Sequence, residues 1–222
     1  GLSCDVALAQ NIRTNQKFLV KIVGATDKDH EAILQSEVEL LNKINMHPFK
    51  PKSLPQYFGY AKEQDSKKTV YNFVYENMEV NMKKTIKAKM IKNEAFDFEQ
   101  VERIFTALLN TLAFLQQLEI VPTRFDSDGL FHNNKDKILK ILGLSPQNEF
   151  LLSLKRHTST YRNPVYLPPE VLKYLDKDES AFDGSPEKIS QNGKKEIINP
   201  HKVSTYSLAI FALELLTLET PK

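Results

Sequence analysis

The chain has 222 residues, of which 41% are hydrophobic and 26% are charged, and its formal net charge is +2. This composition is typical of a soluble protein with one large domain or two lobes. A charge so close to zero gives no reason to expect binding to nucleic acid. The single cysteine, Cys4, excludes an intrachain disulfide framework and a cysteine-rich zinc site, and it favours a reducing, cytoplasmic, intracellular location. The longest apolar run, residues 206–218, is too short to span a bilayer, so we expect no membrane insertion.

The first part of the chain has the pattern of four strands and one helix. Alternating residues predict strands at 4–9 and 17–23, joined by a hairpin loop. Helical periodicity covers 30–45, and two further strands are predicted within 54–63 and 69–77.

The second part is predicted to be mainly helical. A basic helix with a solvated face is predicted over 81–92. The clearest helix covers 98–118, and short strands are expected near 120 and at 138–142. The apolar stripe of the clearest helix comprises Val101, Ile104, Phe105, Leu108, Leu109, Leu112 and Leu115.

Extended and polar segments separate the last two predicted helices from the rest. We expect a long extended loop over 146–166, and a short helix opened by prolines over 168–175. The polar composition of 176–200 predicts a mobile loop. A final apolar helix is predicted to begin near Val203. This order of elements favours a small sheet-based lobe followed by a helical lobe.

One charged residue breaks the apolar stripe of the helix over 30–45. On a helical wheel, Glu37 falls between Leu34, Leu41 and Ile44, where an unpaired charge is costly. Lys21, on an otherwise apolar strand face, is the candidate partner. The alternative is that both side chains extend to solvent at the edges of their elements. Periodicity alone leaves both interpretations open.

Five segments of the sequence resemble a eukaryotic protein kinase, and they follow one another at kinase-like spacing. They correspond to the strand lysine, the helix with its glutamate partner, the strand entering the interlobe hinge, the segment ending in Ala-Pro-Glu, and the helix after it. The segments are VKI (20–22), SEVELLNKINMHPF (36–49), VYNFVYENMEVNMKKTI (70–86), NPVYLPPEVL (163–172) and KVSTYSLAIFALELLT (202–217).

This resemblance implies an α+β fold with two kinase-like lobes. A small antiparallel β lobe with one helix would occupy 1–77, and a mainly helical lobe, incomplete in this chain, would occupy 78–222. The mobile segment 176–200 would be an insertion in the second lobe. The resemblance also implies a vestigial nucleotide cleft, for which the candidate residues are Gly1, Val6, Lys21, Glu37, Tyr75 and Met78.

The positions that carry kinase chemistry depart from the family pattern. The catalytic aspartate corresponds to Arg124, which cannot accept a proton. The two metal-binding positions, an asparagine and the aspartate of Asp-Phe-Gly, correspond to Gly129 and Gly143. The third glycine of the phosphate loop corresponds to Cys4, and the aspartate that anchors the catalytic loop corresponds to Ser204.

A different register would not restore the chemistry. Placing Asp126 at the catalytic position would displace the apolar pair at 130–131 that follows the metal-binding asparagine in the family pattern. It would still supply no acid for the second metal position, because residues 138–146 contain none. The resemblance with these losses therefore predicts a domain with no catalytic residues and no bound metal.

The function expected from this pattern is that of a pseudokinase: a catalytically inactive scaffold or allosteric module that binds other proteins in a multi-subunit assembly. No cofactor is expected, although Lys21 leaves weak, metal-free ATP binding open. Two alternatives remain at this point. One is a regulatory module that binds nucleotide without turnover, and the other is an active kinase-like enzyme with unconventional catalysis in the same cleft.

Overall fold

The computed structural model describes residues 3–64, 68–135, 137–151, 154, 164–175, 187–191 and 194–219. The fold is α+β, with a small antiparallel sheet in the first part of the chain and mainly helices after it. The helices whose whole course lies within these residues are α1 (Lys28–Asn45), α2 (Met82–Lys92), α3 (Phe98–Gln117), α4 (Pro169–Leu175) and α5 (Pro200–Thr217). Within the described ranges, no helix is both long and apolar enough to cross a membrane.

The main sheet confirms the four strands predicted for the first part of the chain. Its strands are β1 (Ser3–Gln10), β2 (Lys17–Ala25), β3 (Tyr57–Gln64) and β4 (Thr69–Tyr75). All neighbours are antiparallel, in the order β1-β2-β4-β3. Along β2, residues 19, 21 and 23 are buried, and the alternate residues are only half-buried. This alternation follows from the two-residue period of a strand, and it turns Lys21 toward the interior.

Helix α1 packs against the sheet with its apolar stripe. It begins after Asp27, whose carboxylate accepts a hydrogen bond from His30 N at 2.8 Å and caps the helix. Its buried stripe includes Leu34, Leu41 and Ile44, and it carries Glu37 into the interior. The helix predicted over 30–45 is therefore confirmed, with its start two residues earlier.

Short strands connect the central helices, and the sequence predicted only some of them. β5 (Val80–Asn81), β7 (Leu130–His132) and β8 (Lys140–Ile141) form one three-stranded sheet, and β6 (Ile120–Pro122) pairs with β9 (Leu144–Pro146). The strands expected near 120 and at 138–142 are present. β5, β7 and β9 were missed because two or three residues are too few to show a period of two.

The core falls into two clusters among the described residues, and α3 spans the larger one. The helix predicted over 98–118 is confirmed, but one residue of its predicted stripe, Leu109, is 42% exposed. α3 packs against α5 within the larger cluster, and the remaining residues of the predicted stripe are buried or half-buried. The smaller cluster comprises Val121, Phe150, Leu151, Leu154, Leu167, Val171, Ile198 and Val203.

The segment from 146 to 200 differs in part from the sequence prediction. The loop expected to be extended begins with a 3-10 turn, Gln147–Glu149, and residues 155–163 lie outside the described residues. Two strands that were not predicted, β10 (Glu187–Gln191) and β11 (Lys194–Ile197), pair within 176–200. Because 176–186 and 192–193 also lie outside the described residues, the mobility of this segment stays a prediction.

Helices α4 and α5 agree with the two helices predicted at the end of the chain. α4 occupies most of the range predicted for it. α5 starts three residues before Val203, at Pro200. The Asn199 side chain explains this start, because it accepts a hydrogen bond from His201 N at 3.0 Å and caps the helix.

Candidate functional site

Lys21 and Glu37 form a buried ion pair between β2 and α1. Lys21 Nζ lies 2.6 and 2.8 Å from the two carboxylate oxygens of Glu37, and each side chain is 7% exposed. Lys21 Nζ also lies 5.1 Å from the centre of the Phe73 ring. The predicted pairing is therefore confirmed, and the alternative in which both side chains extend to solvent is wrong.

Gly143 lies beside this ion pair. A Cβ atom at Gly143 would stand 3.9 Å from Lys21 Nζ. The resemblance assigns a metal-binding aspartate to this position, but the position carries no side chain. Two features also oppose a side chain here. Gly143 has a φ of +81°, and the added Cβ would stand 2.7 Å from Thr123 Oγ1. Thr123 N donates to Gly143 O at 3.1 Å, which holds the two backbones together.

Arg124 folds back over Gly129, the other position where the resemblance places a metal ligand. A Cβ atom at Gly129 would stand 2.7 Å from Arg124 Cγ and 3.1 Å from Arg124 O. The guanidinium group reaches Asp126 Oδ1 at 3.1 Å and Asp128 Oδ2 at 3.6 Å. Lys83 Nζ adds a second cation 2.7 Å from Asp128 Oδ2. Arg124 and Lys83 thus neutralise the two carboxylates of this loop.

Asp126 is the one acid of this loop that is buried. It is 4% exposed, and Gly129 N donates to its Oδ1 at 2.6 Å. Burial raises the pKa of Asp126 above its usual value, and the charge of Arg124 acts in the opposite direction. The carboxyl is therefore held by Arg124 and by the backbone of Gly129. Through these two contacts, Asp126 fixes the conformation of the loop.

The link between this loop and α5 is made by Glu214, which the sequence analysis missed. Glu214 is buried and accepts hydrogen bonds from Ser127 Oγ at 3.2 Å and from the Tyr166 hydroxyl. Burial, followed by the hydrogen bond to Glu214, raises the pKa of Tyr166. Ser204, at the position of the usual anchoring aspartate, donates instead to Pro200 O within its own helix at 3.2 Å. The only signal in the sequence was a charged residue within the longest apolar run.

The other residues that the resemblance assigns to a nucleotide cleft lie in different environments. Val6 is 43% exposed, and it lies opposite Lys21 on the neighbouring strand, hence on the same face of the sheet. The side chains of Tyr75 and Met78 are fully buried in the larger core cluster. Gly1 lies outside the described residues. The structure thus brings Val6, Lys21 and Glu37 to one side of the sheet and uses the side chains of Tyr75 and Met78 for packing.

A second buried lysine ties the segment after β4 to β8. Lys140 Nζ lies 3.0 Å from Glu76 Oε1 and donates to Lys52 O at 2.7 Å. Gln56 N donates to the same Glu76 oxygen at 2.9 Å. Glu76 therefore connects the main sheet with the three-stranded sheet that carries β8.

The chemical capacity of the site follows from these contacts. The ammonium group of Lys21 could attract an anionic group, but both carboxylate oxygens of Glu37 already contact it. The described residues contain no cluster of three or more His, Cys, Asp or Glu side chains that could hold a metal ion. Arg124 cannot act as a general base, because a guanidinium group has no acceptor.

No protein family model matches this sequence, and no curated protein matches it either. The resemblance to protein kinases rests on the five sequence segments described above.

Proposed function

We propose that this chain is a kinase-like domain without phosphoryl transfer, a pseudokinase, which acts as a scaffold or allosteric module for other proteins in a larger assembly. One observation carries the proposal: the Lys21–Glu37 ion pair is present beside Gly143, which has no side chain. In kinases the lysine and its glutamate partner act together with metal ions held by an aspartate and an asparagine. In this chain the lysine–glutamate pair is present, whereas glycines occupy the two positions where side chains would hold the metal.

The order of the elements supports a two-lobe kinase-like arrangement. A four-stranded antiparallel sheet with α1 comes first, and the later chain is mainly helical. The resemblance places Lys21 of the sheet and Gly143 of the segment before β9 in the same cleft, and a Cβ atom at Gly143 would stand 3.9 Å from Lys21 Nζ. This pairing of distant positions is what the resemblance would require.

The loop around Arg124 supports the loss of catalysis independently of Gly143. Phosphoryl transfer depends on positioning and on charge stabilisation around metal-bound phosphates. Arg124 replaces a carboxylate with a cation, and its stem fills the space above Gly129. Such a domain retains a stable shape without turnover, and a stable shape is sufficient for another protein to recognise. The compartment proposed for this interaction is reducing and cytoplasmic.

A second candidate function is nucleotide binding without turnover, and Lys21 favours it. A lysine can hold a phosphate as a point charge even without a metal ion. This binding would be weak, because Glu37 competes for the same ammonium group at 2.6 Å.

The deciding experiment is radiolabelled phosphate transfer from ATP by the purified chain, to itself and to generic protein substrates. We expect no transfer by the unmodified chain or by Arg124→Asp, because Gly129 and Gly143 still lack metal ligands. A matched variant, Lys21→Met with Glu37→Leu, removes the ion pair without leaving a buried charge. Transfer by the unmodified chain that this variant loses would overturn the proposal in favour of unconventional catalysis.

Nucleotide binding is measured separately by thermal unfolding with ATP, with and without magnesium. We expect magnesium to add no stabilisation. Magnesium-dependent stabilisation of more than about 2.7 kcal/mol, which requires ligand at about 100 times its dissociation constant, would contradict the loss of the metal site. Stabilisation by ATP alone that disappears in the double variant would favour the nucleotide-binding module.

A further inference from the structure

A cavity of about 740 Å³ lies between α2, α3 and the β7–β8 hairpin. None of the residues of the candidate site around Lys21 and Arg124 lines it. Its volume is within the range of sites that bind small organic molecules, about 300–1,000 Å³. Nothing in the proposed function uses this cavity.

The deep part of the cavity is apolar. Its walls include Met82, Leu108 and Leu139, which are buried, and the half-buried ring of Phe96. These side chains come from α2, from α3, from the loop between these helices and from the connection between β7 and β8, so the apolar surface is recessed between them. A recessed surface of this kind favours the apolar part of a small ligand over a flat protein surface.

His132 contributes to the wall, but both of its ring nitrogens are engaged. Nδ1 lies 2.9 Å from Asn133 O, and because a carbonyl only accepts, Nδ1 is the donor. Nε2 then accepts from the Thr85 hydroxyl at 2.8 Å. His132 therefore has no ring nitrogen free to bind a ligand, and the charged side chains determine which ligand the cavity selects.

The charged side chains that line the cavity are predominantly basic. They are Lys89, Arg103 and Lys137, with Glu94 as the only acid among the lining residues, which leaves a net charge of +2. Lys89 is partly neutralised, because its Nζ lies 4.0 Å from Glu94 and above the Phe96 ring at 4.8 Å. Arg103 is exposed and forms no ion pair with any residue in the described part of the chain.

We propose that this cavity binds a small amphipathic anion: a molecule with an apolar chain or ring and one carboxylate, sulfonate or phosphate group. The apolar part contacts Met82, Leu108 and Leu139, and the anionic group binds Arg103 and Lys137 at the opening. Charge complementarity selects an anion over a neutral molecule of the same shape. The site is separate from the cleft at Lys21, so it does not depend on the proposed function.

The test uses the purified 222-residue chain with sodium decanoate as the anionic probe and decanol as its neutral counterpart. Binding is measured by isothermal titration calorimetry and thermal unfolding. For a ligand of about 12 non-hydrogen atoms we expect a dissociation constant of about 1 mM or lower. Arg103→Glu should weaken decanoate binding by about tenfold or more, because it reverses the charge at the opening.

A second variant tests the cavity rather than the charge. Ala107 lines the cavity from the exposed side of α3, so Ala107→Trp fills the space without entering the core, and it should abolish binding. The control is Lys87→Glu, which makes the same kind of charge change on α2 outside the cavity and should leave the affinity unchanged. Circular dichroism of each variant without ligand verifies folding.

Several results would overturn the proposal. Absence of decanoate binding at about 10 mM would do so, since this is well above the expected dissociation constant. Equal affinity for decanol would remove the role of the anion. If Ala107→Trp bound decanoate as tightly as the unmodified chain, the ligand would bind outside this cavity. Binding of a folded protein or peptide that Ala107→Trp blocks, without decanoate binding, would assign the cavity to a macromolecular partner instead.

Discussion

The aliphatic stem of Arg124 lies directly over Gly129, so that a Cβ atom at Gly129 would stand 2.7 Å from Arg124 Cγ. Cγ is close to the backbone, and Arg124 O lies only 3.1 Å from the same point, so the contact cannot be relieved by a small side-chain movement. The two departures from the kinase pattern at these positions are therefore coupled. A larger residue at 129 requires Arg124 to move, and the ion pairs of Arg124 oppose that movement.

This contact predicts that an asparagine at position 129 destabilises the fold. We expect Gly129→Asn to lower the free energy of unfolding by about 1–3 kcal/mol through overpacking. The same substitution should cost clearly less in an Arg124→Ala background, because the clashing Cγ atom is absent. Urea denaturation of the four proteins of this double-mutant cycle measures the coupling, and additive effects would contradict the contact.

The Lys21–Glu37 pair predicts a large cost for removing one partner. Lys21→Met leaves Glu37 charged and buried, so the free energy of unfolding should fall by about 3–5 kcal/mol. Adding Glu37→Leu should recover most of the lost stability, because no uncompensated charge remains.

An exposed pair between the same two parts of the fold is a suitable control. Lys62 Nζ lies 2.9 Å from Glu31 Oε2, and these side chains are 42% and 34% exposed. Water screens such a pair, so Lys62→Met should change stability far less than Lys21→Met. Similar losses in the two variants would show that the burial of Lys21 and Glu37 is not what makes their pair important.

Two buried tyrosines predict opposite effects of the same substitution. The Tyr57 hydroxyl has no hydrogen-bond partner among the described residues, and burial, followed by the charge of Glu37, raises its pKa to about 12. Tyr57→Phe should therefore increase the free energy of unfolding by about 1 kcal/mol, because an unsatisfied buried group is removed.

The Tyr166 hydroxyl, in contrast, donates to buried Glu214. Tyr166→Phe should lower the free energy of unfolding by about 1.5–3 kcal/mol, the usual range for a hydrogen bond to a charged group. Thermal and urea denaturation of both variants compare them directly. Destabilisation by Tyr57→Phe as large as that by Tyr166→Phe would indicate that Tyr57 has a partner.

The raised pKa of Asp126 predicts a dependence of stability on pH. As the pH rises above about 3.8, the usual pKa of this group, the unfolded chain loses the proton first and the folded chain retains it. Stability contributed by Asp126 is therefore present below that pH and is lost as the pH rises through the folded pKa, with a slope of at most about 1.4 kcal/mol per pH unit.

The matched variant for this effect is Asp126→Asn, which cannot titrate. Its stability relative to the unmodified chain should increase as the pH is raised from about 4 toward neutrality, by the linkage that applies to an acid with a raised pKa. Urea denaturation at several pH values gives the difference. A constant difference across this range would show that burial does not raise the pKa of Asp126.

The sequence by itself determined the main elements and identified the two candidate residues of the central ion pair. β1–β4, α1 and α3 have enough residues for their periods to be recognised, and they were predicted within a few residues of their bounds. A candidate partner for Glu37 could also be named, because an unpaired charge in the middle of an apolar stripe is costly and Lys21 lies on an apolar strand face. Local patterns thus predicted the elements and the candidate pair, and the structure decided that Lys21 and Glu37 meet in the interior.

Only the tertiary structure decided how the loops around this pair are arranged. Arg124 over Gly129, Gly143 beside Lys21, and Ser127 bonded to Glu214 join elements or turns that no local pattern relates. β5 and β9 are too short for a period and depend on partners elsewhere in the chain. The physical reason is the same in each case. These contacts are stabilised by packing and hydrogen bonds that form only in the folded chain, and the local pattern of a single sequence does not show which residues these will be.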